Sequence, residues 1–326
     1  MNILIFGKDG QLGKAFKEVL GSKNLEIQNH IQYVGRAQCD LSNEGAITVL
    51  LQHTKPSLII NCAAYTAVDR AESEVDLAFA INTKAPETIA RYAQERGATF
   101  LHYSTDYVFD GTKVGQYKET DQRNPLGIYG KSKAAGEEAI ENVFKYQHNM
   151  QAKFAILRTS WVYGDGGNFI RTILCLAKER ETLKVISDQY GVPSSARWLA
   201  EVSLALVLDE NNQIRQFPSG IYHAVPSGET TWHALACYVV QVAIDAGAEL
   251  KLKTAGIEAI SAADYPLPVP RPMNSRMATG ALQALLGKAE GSSGLMPKLQ
   301  QLQQLQQSWQ RQVTAYVQDL VLRKFI

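Results

Sequence analysis

The chain is short of the residues that would tie it to metals, membranes or polyanions. It has four cysteines in 326 residues, Cys39, Cys62, Cys175 and Cys237, scattered without CxxC or zinc-ligand spacing. That pattern offers no disulfide framework and fits a reducing compartment. Cys62 lies in the apolar run Leu58–Ala64, where a free buried thiol is expected. No stretch approaches the roughly 18 apolar residues of a membrane span. Met1–Gly7 carries neither a charged leader nor a cleavage site and reads as a first strand, so a cytoplasmic enzyme is expected. A formal net charge of +1 leaves no bulk electrostatic grip on nucleic acid or a membrane surface. An anionic partner has to be met by a local site.

What is present is an ordinary soluble composition, 45% hydrophobic and 20% charged. Short apolar runs at Asn2–Phe6, Gln32–Val34, Leu58–Asn61, Thr99–Ser104 and Phe154–Arg158 read as strands. Amphipathic segments between them, near Gln11–Leu20, Asn43–His53, Val75–Arg96 and Leu126–Phe144, read as helices. The alternation implies right-handed βαβ units and an α/β, doubly wound parallel sheet. Beyond about residue 160 the rhythm loosens. Lys184–Ile186 reads as a further strand, Trp198–Asp209 as a helix, and the proline-rich Asp264–Arg276 as an extended loop. The glutamine-rich 299–311 reads as an irregular or helical surface segment before a last helix near Gln312–Leu322. Length and rhythm suggest a dinucleotide-binding domain over 1–160, to which later segments return, and a smaller mixed domain over 161–326.

The first strand runs into Gly7-Lys8-Asp9-Gly10-Gln11-Leu12-Gly13 and then a helix. Glycine suits a sharp turn that brings backbone close to a pyrophosphate, and the free N–H groups of the helix start attract the phosphates. The spacing is GxxGxxG, and its position between strand and helix makes it a dinucleotide site. After the second strand comes Val34-Gly35-Arg36, with no carboxylate. An arginine there accommodates a 2′-phosphate, which leans the cofactor towards NADPH over NADH. Asp40 and Leu41 are placed to meet the adenine.

Tyr129 and Lys133 stand four residues apart on one face of a predicted helix. A nearby ammonium is expected to lower the tyrosine pKa from about 10 and fit it for acid–base work on a carbonyl. The fourth strand ends in Tyr103-Ser104-Thr105-Asp106-Tyr107. Open α/β sheets bind ligands at the carboxyl ends of their strands, so Ser104 or Thr105 falls beside the tyrosine.

With these blocks in view, the chain resembles the extended short-chain dehydrogenases, and within them the dTDP-4-dehydrorhamnose reductases. The matching segments are GKDGQLG, NCAAYTAVDRAE at 61–72, YSTDYVFDG at 103–111, YGKSKAAGE at 129–137, RTSWVYG at 158–164, LAKER at 176–180, VISDQYGVPS at 185–194 and RPMNSR at 271–276. The resemblance implies a Rossmann-type cofactor domain with a nucleotide-sugar domain beside it. It implies reduction of dTDP-4-dehydro-L-rhamnose to dTDP-L-rhamnose, the last step towards a precursor of cell-surface polysaccharide. Cofactor contacts are implied for Gly10, Gln11, Leu12, Asp40, Leu41, Ala63, Ala64, Tyr65, Thr66 and Tyr103. Tyr129 is implied as proton donor, Lys133 as ligand of the nicotinamide ribose, and Thr105 as the hydroxyl that polarises the C4 carbonyl. Asp106 and Tyr107 are expected near the sugar, Trp161 along its C–H face, and Arg271 and Asn274 at the dTDP end. Some members hold magnesium with an acidic residue just after the third glycine, at a dimer interface. Lys14 and Ala15 stand here, which puts Mg2+ in doubt and leaves a homodimer open. Another nucleotide-sugar reductase, an epimerase or dehydratase, and a non-catalytic regulatory subunit on the same scaffold are the rival readings. Dehydratases pair acids beside the strand-end hydroxyl, a pair incomplete here, and a regulatory subunit would not need Tyr129, Lys133 and Thr105 together.

Overall fold

The structure is a computed structural model that describes residues 1–22, 30–146, 149–209, 211–287 and 307–326. Its frame is a six-stranded sheet in which every pairing is parallel. The first half of the chain follows the expected alternation: β1 (Ile3–Phe6), α1 (Gln11–Gly21), β2 (Ile31–Val34), α2 (Glu44–Thr54) and β3 (Leu58–Asn61). Two short helices follow, α3 (Val68–Ala71) and α4 (Val75–Phe79), then α5 (Ala85–Arg96), β4 (Thr99–Thr105), α6 (Ile128–Lys145) and β5 (Lys153–Thr159). Strands β1, β3 and β4 are buried on both faces, as parallel strands covered by helices must be.

Side-chain alternation in β1 divides the sheet into two apolar faces. Leu4 and Phe6 join Ile47 and Leu51 of α2, Ile89 and Ala93 of α5 and Ile140 of α6. Ile3 and Ile5 join Phe16 and Leu20 of α1 on the other side. Much of that second face is covered by later segments: α8 (Ala196–Val207) and α10 (Gly280–Gly287), while β10 (Gly220–His223) adds itself to β5 as the sheet's edge.

A third core is assembled mainly from the rest of the second half, with Val108, Phe109, Tyr117 and Ala134 from the first. The elements of this region are β6 (Val162–Tyr163), α7 (Phe169–Glu179), β7 (Leu183–Ile186), β8 (Tyr190–Gly191), β9 (Ser194–Ser195), β11 (Thr230–Thr231), α9 (Trp232–Asp245), β12 (Ile257–Ile260) and α11 (Trp309–Leu322). Ile170 and Leu174 of α7 meet Leu235 and Val239 of α9 and Val313 and Val317 of α11. The small sheets here are two-stranded, and both parallel and antiparallel pairs occur. Most of the glutamine-rich stretch, residues 299–306, lies outside the described residues; Ser308 caps α11 through the Arg311 N–H.

The segment expected as one helix over Val75–Arg96 is divided by a π-turn at Ala80–Lys84. Pro86 is the cause: it has no N–H to return to the carbonyl of Asn82, four residues back. The widened turn leaves Asn82 fully buried and aims its side chain at the loop after β3. The strand order, β10-β5-β4-β3-β1-β2, reverses between β1 and β3. A crevice opens at their carboxyl ends, the place where open α/β sheets bind ligands.

Candidate active site

The turn after β1 is set by close packing of backbone. Gly7 sits at φ +82°, and a Cβ on it would lie 2.7 Å from the Ala63 nitrogen. A Cβ on Gly13 would lie 2.1 Å from the Gly7 carbonyl oxygen. Gly10 differs. Its φ is −78°, a Cβ there would make only an ordinary 3.5 Å contact inside the protein, and it opens on the cleft. Gly10 is also the N-cap of α1, and no side chain caps that helix end. The space a Cβ would fill, facing uncapped N–H groups and the positive end of a helix dipole, fits a dinucleotide pyrophosphate.

The cleft that starts here has a volume of about 900 Å³. At one end Arg36 reaches across to Asp40, 3.4 Å between Nε and Oδ2, and stays largely exposed. Asp40 is held below the usual carboxylate range by the Ser42 N–H and hydroxyl and by Arg36. Gly35 leaves the room that the Asp9 carboxylate occupies; a Cβ there would sit 2.2 Å from it. The middle of the cleft is the loop from Cys62 to Thr66, pinned by Asn82. The Asn82 side chain accepts from the Tyr65 N–H at 2.9 Å and donates to the Tyr65 carbonyl at 3.0 Å. It also donates to the Ser132 hydroxyl of α6, so the π-turn connects the Cys62–Thr66 loop to the helix that carries Tyr129 and Lys133. Asn82 was missed by sequence reasoning; the signal was Pro86 inside a helical pattern.

At the far end, β4 and α6 bring the expected catalytic groups together. Tyr129 is almost buried, its ring edge-on to Tyr107 at 5.4 Å. Burial pushes its hydroxyl up to about 12, against a hydrogen bond with Thr105 that pulls it down. Sequence reasoning expected a lysine ammonium to lower this pKa. In the structure Lys133 is fully buried and its amine spends itself on the Tyr103 carbonyl, at 2.6 Å, and the His102 ring. Desolvation brings Lys133 down to about 8, which leaves it mostly an ammonium at pH 7 and brings the loss of its charge close to neutrality. Thr105 donates to Asp106 Oδ1 at 2.9 Å and accepts from the Tyr107 N–H at 3.2 Å. Asp106, buried and bonded also by the Ser275 hydroxyl, is pushed up to about 6 by loss of solvent.

Trp161 closes this end. It lies at φ +48°, a left-handed conformation that costs a non-glycine residue roughly 1–2 kcal/mol. Its indole stacks on Trp232 at 3.6 Å with planes 16° apart. Gly191 permits the approach, since a Cβ there would fall 2.6 Å from the Trp161 ring. Trp232 was not singled out from the sequence, because it is 71 residues away at the start of a helix that no motif marks.

Of the residues singled out from sequence, Gly7, Gly10, Gln11 and Leu12 line this one cleft, as do Arg36, Asp40 and Leu41. So do Ala63 to Thr66, Tyr103, Thr105 to Tyr107, Tyr129, Lys133 and Trp161. Gly13 lies behind the turn, and Arg271 and Asn274 are not in the lining. Arg271 is held by both carboxylate oxygens of Asp69, at 2.9 and 2.8 Å. The Asn274 amide donates to the carbonyls of Lys113 and Gly115, each at 2.7 Å, and its oxygen accepts from Arg276. Asn274 therefore shapes the loop from within. Lys14, where some relatives were expected to carry an acid, pairs with Asp165 at 3.2 Å. No group of three histidine, cysteine or carboxylate residues suited to a metal ion occurs among the described residues.

Fold and site together define an extended short-chain dehydrogenase scaffold: a parallel doubly wound sheet, a glycine turn under a dinucleotide-sized cleft, and a tyrosine–lysine pair at its end. The chain belongs to the family described as the RmlD substrate binding domain, whose model matches residues 1–293. It is 43% identical over 285 residues to the dTDP-4-dehydrorhamnose reductase of Salmonella typhimurium, covering 87% of this chain and 91% of that one. The enzyme of the same name from Escherichia coli K12 is 42% identical over 287 residues, with 87% and 91% covered. Among solved structures, a dTDP-4-dehydrorhamnose reductase from Clostridium acetobutylicum superposes with a TM-score of 0.81 at 31% identity, covering 99% of this chain and all of that one. A Bacillus anthracis reductase of that name, in complex with NADP, gives 0.76 at 30% identity, with 96% and 98% covered.

Proposed function

We propose that this protein reduces dTDP-4-dehydro-L-rhamnose to dTDP-L-rhamnose with NAD(P)H, the last step in making that activated sugar. The observation that carries the reading is the buried Tyr129–Thr105 hydroxyl pair, set where a dinucleotide cleft meets a paired-tryptophan wall. Uncapped α1 N–H groups and the Gly7–Gly10 turn would hold the pyrophosphate, Asp40 and Leu41 the adenosine end, and Lys133 the nicotinamide ribose. The cofactor, when bound, supplies a hydride to C4 of the sugar.

The chain's own residues supply the rest. A tyrosine pushed up to about 12 keeps its proton at neutral pH, which is the form needed to give one to a carbonyl oxygen gaining charge. Thr105 is a second hydroxyl at the same spot; its O–H, held by Asp106 Oδ1 in this structure, would turn to that oxygen as it becomes negative. The Trp161–Trp232 face would take the C–H face of the pyranose and exclude water. Arg271, held on Asp69, is the cation that the proline-rich loop would offer a pyrophosphate; we include it, and drop direct substrate contact for Asn274. Arg36 leans the preference towards NADPH. Residues 1–160 with α8, β10 and α10 are assigned to cofactor, the remainder to the nucleotide sugar. The protein is placed in the cytoplasm, and a homodimer is compatible with the reading. No described helix is long and apolar enough to cross a membrane.

The test is Tyr129→Phe. Turnover should fall at least 10³-fold while NADPH affinity, measured by fluorescence titration, stays within about threefold. Turnover near the parental rate would refute the proton donor.

A further inference from the structure

Behind the catalytic face, Asn61, His102 and Lys133 form a row of buried polar groups, each 1% exposed or less. Asn61 Nδ2 is 3.2 Å from His102 Nδ1, and His102 Nε2 is 3.2 Å from Lys133 Nζ. Asn61 ends β3, His102 lies in β4 directly opposite it in the register, and Lys133 comes from α6. The row runs from the cofactor loop to the helix that carries the tyrosine.

Donors and acceptors along the row can be counted. Asn61 Oδ1 accepts from the Ala63 N–H at 3.1 Å, which sets the amide and turns its NH2 towards the ring. His102, buried and facing a lysine, is kept neutral far below the usual imidazole range, so it has one donor nitrogen and one acceptor. If Nδ1 accepts from Asn61, the proton sits on Nε2 and points at Lys133. An ammonium has no lone pair to receive it. The amine already donates to the Tyr103 carbonyl at 2.6 Å, and a neutral amine keeps a lone pair for the ring.

We propose that Asn61 and His102 act as a tautomer lock on Lys133: once Lys133 has lost its proton, Asn61 holds the ring with its proton on Nε2, and that N–H donates to the neutral amine. When Lys133 takes up a proton, it loses its lone pair and the contact has to reverse. His102 must then carry its proton on Nδ1, and Asn61 must turn its oxygen to the ring, releasing the Ala63 N–H. Lys133 charge and the set of the Cys62–Thr66 loop are thereby one equilibrium. His102 is a positioning residue in this scheme, and the functional consequence rests on the reductase reading above.

The surrounding groups allow the lock to decide. Glu137, one turn beyond Lys133, favours the ammonium but is itself bound by Arg158 and Arg123. Cys62, Tyr103 and Tyr129 line the same cleft and are held uncharged by burial at neutral pH. Asp106, pushed up to about 6, is the remaining buried acid of that cleft. Phe100 packs on the ring at 5.8 Å and offers no proton.

The direct test needs no substrate. Nitrogen-15 NMR of the histidine-labelled full chain at pH 9, with the His102 signals identified by their loss in His102→Gln, should show Nδ1 unprotonated and Nε2 protonated. A protonated Nδ1, alone or with Nε2, overturns the lock and leaves the reductase reading standing. In the kinetic arm, Asn61→Asp reverses the lock, since a carboxylate accepts from Nδ1–H. The Lys133-dependent limb of the kcat pH profile should then move about one unit to higher pH, a tenfold change in proton concentration. An unmoved limb in a folded variant overturns the coupling to catalysis. Absence of sugar reduction by the parent would count against the substrate and leave the tautomer result intact.

Discussion

Asp106 shows how one buried residue converts position into pH dependence. Its carboxyl is raised from 3.8 to about 6 by burial, even with Ser275 and Thr105 donating to it. Because the folded value lies above the unfolded one, its contribution is full below about pH 4 and is lost as pH rises through 6. A shift of this size is on the order of 3 kcal/mol. Asp106→Asn should therefore flatten the decline in urea-unfolding free energy between about pH 4 and 6.5. An unchanged slope would show that Asp106 is ionised in the native protein at its ordinary pKa. Tyr129 and Lys133 were legible as a pair four residues apart, and so was Thr105 at a strand end. Their protonation was not. It depends on Tyr103, His102 and Asn61, whose proximity is made by the sheet.

Among the elements, the turn between β1 and α1 separates structural from functional glycine. Gly13→Ala drives a Cβ to 2.1 Å from the Gly7 oxygen, backbone against backbone. Overpacking of this kind costs about 1–3 kcal/mol or more, so thermal unfolding should fall by several degrees. Gly10→Ala meets only a 3.5 Å contact at a φ that alanine adopts readily. It should keep the parental melting temperature within about 2 °C and weaken NADPH binding at least tenfold. Equal loss of stability in both variants would refute the division. The strand and helix positions here were readable, because short apolar runs and a glycine turn are local signals. The π-turn at Ala80–Lys84 was hidden: Pro86 announces a fault, but only the buried Asn82 bonds to Tyr65 show why it is tolerated.

Across the whole molecule, charge inside the fold joins the parts. Glu137 of α6 takes both Arg158 of β5 and Arg123, and Arg158 also lies under Phe109 and near His223 of β10. Glu137 and Arg158 are essentially without solvent. Removing one partner from a buried pair leaves the other uncompensated, at about 3–5 kcal/mol. Glu137→Leu should lose that much in urea unfolding, and a loss under 1 kcal/mol would contradict the account. Such long-range pairs leave no local mark in a sequence. Nor do β10, four residues at a sheet edge, or the later returns of α8 and α10 to the first core. Arg271 likewise reads as a pyrophosphate ligand from its motif, whereas the fold holds it on Asp69, 202 residues away.

The buried hydroxyl pair, the dinucleotide cleft and the tryptophan wall converge on one reaction. Purified protein given dTDP-4-dehydro-L-rhamnose and NADPH should consume the nicotinamide absorbance and form dTDP-L-rhamnose in equal amount, faster at low cofactor concentration than with NADH. Absence of sugar-dependent NADPH or NADH oxidation by correctly folded, cofactor-binding protein would contradict the central claim.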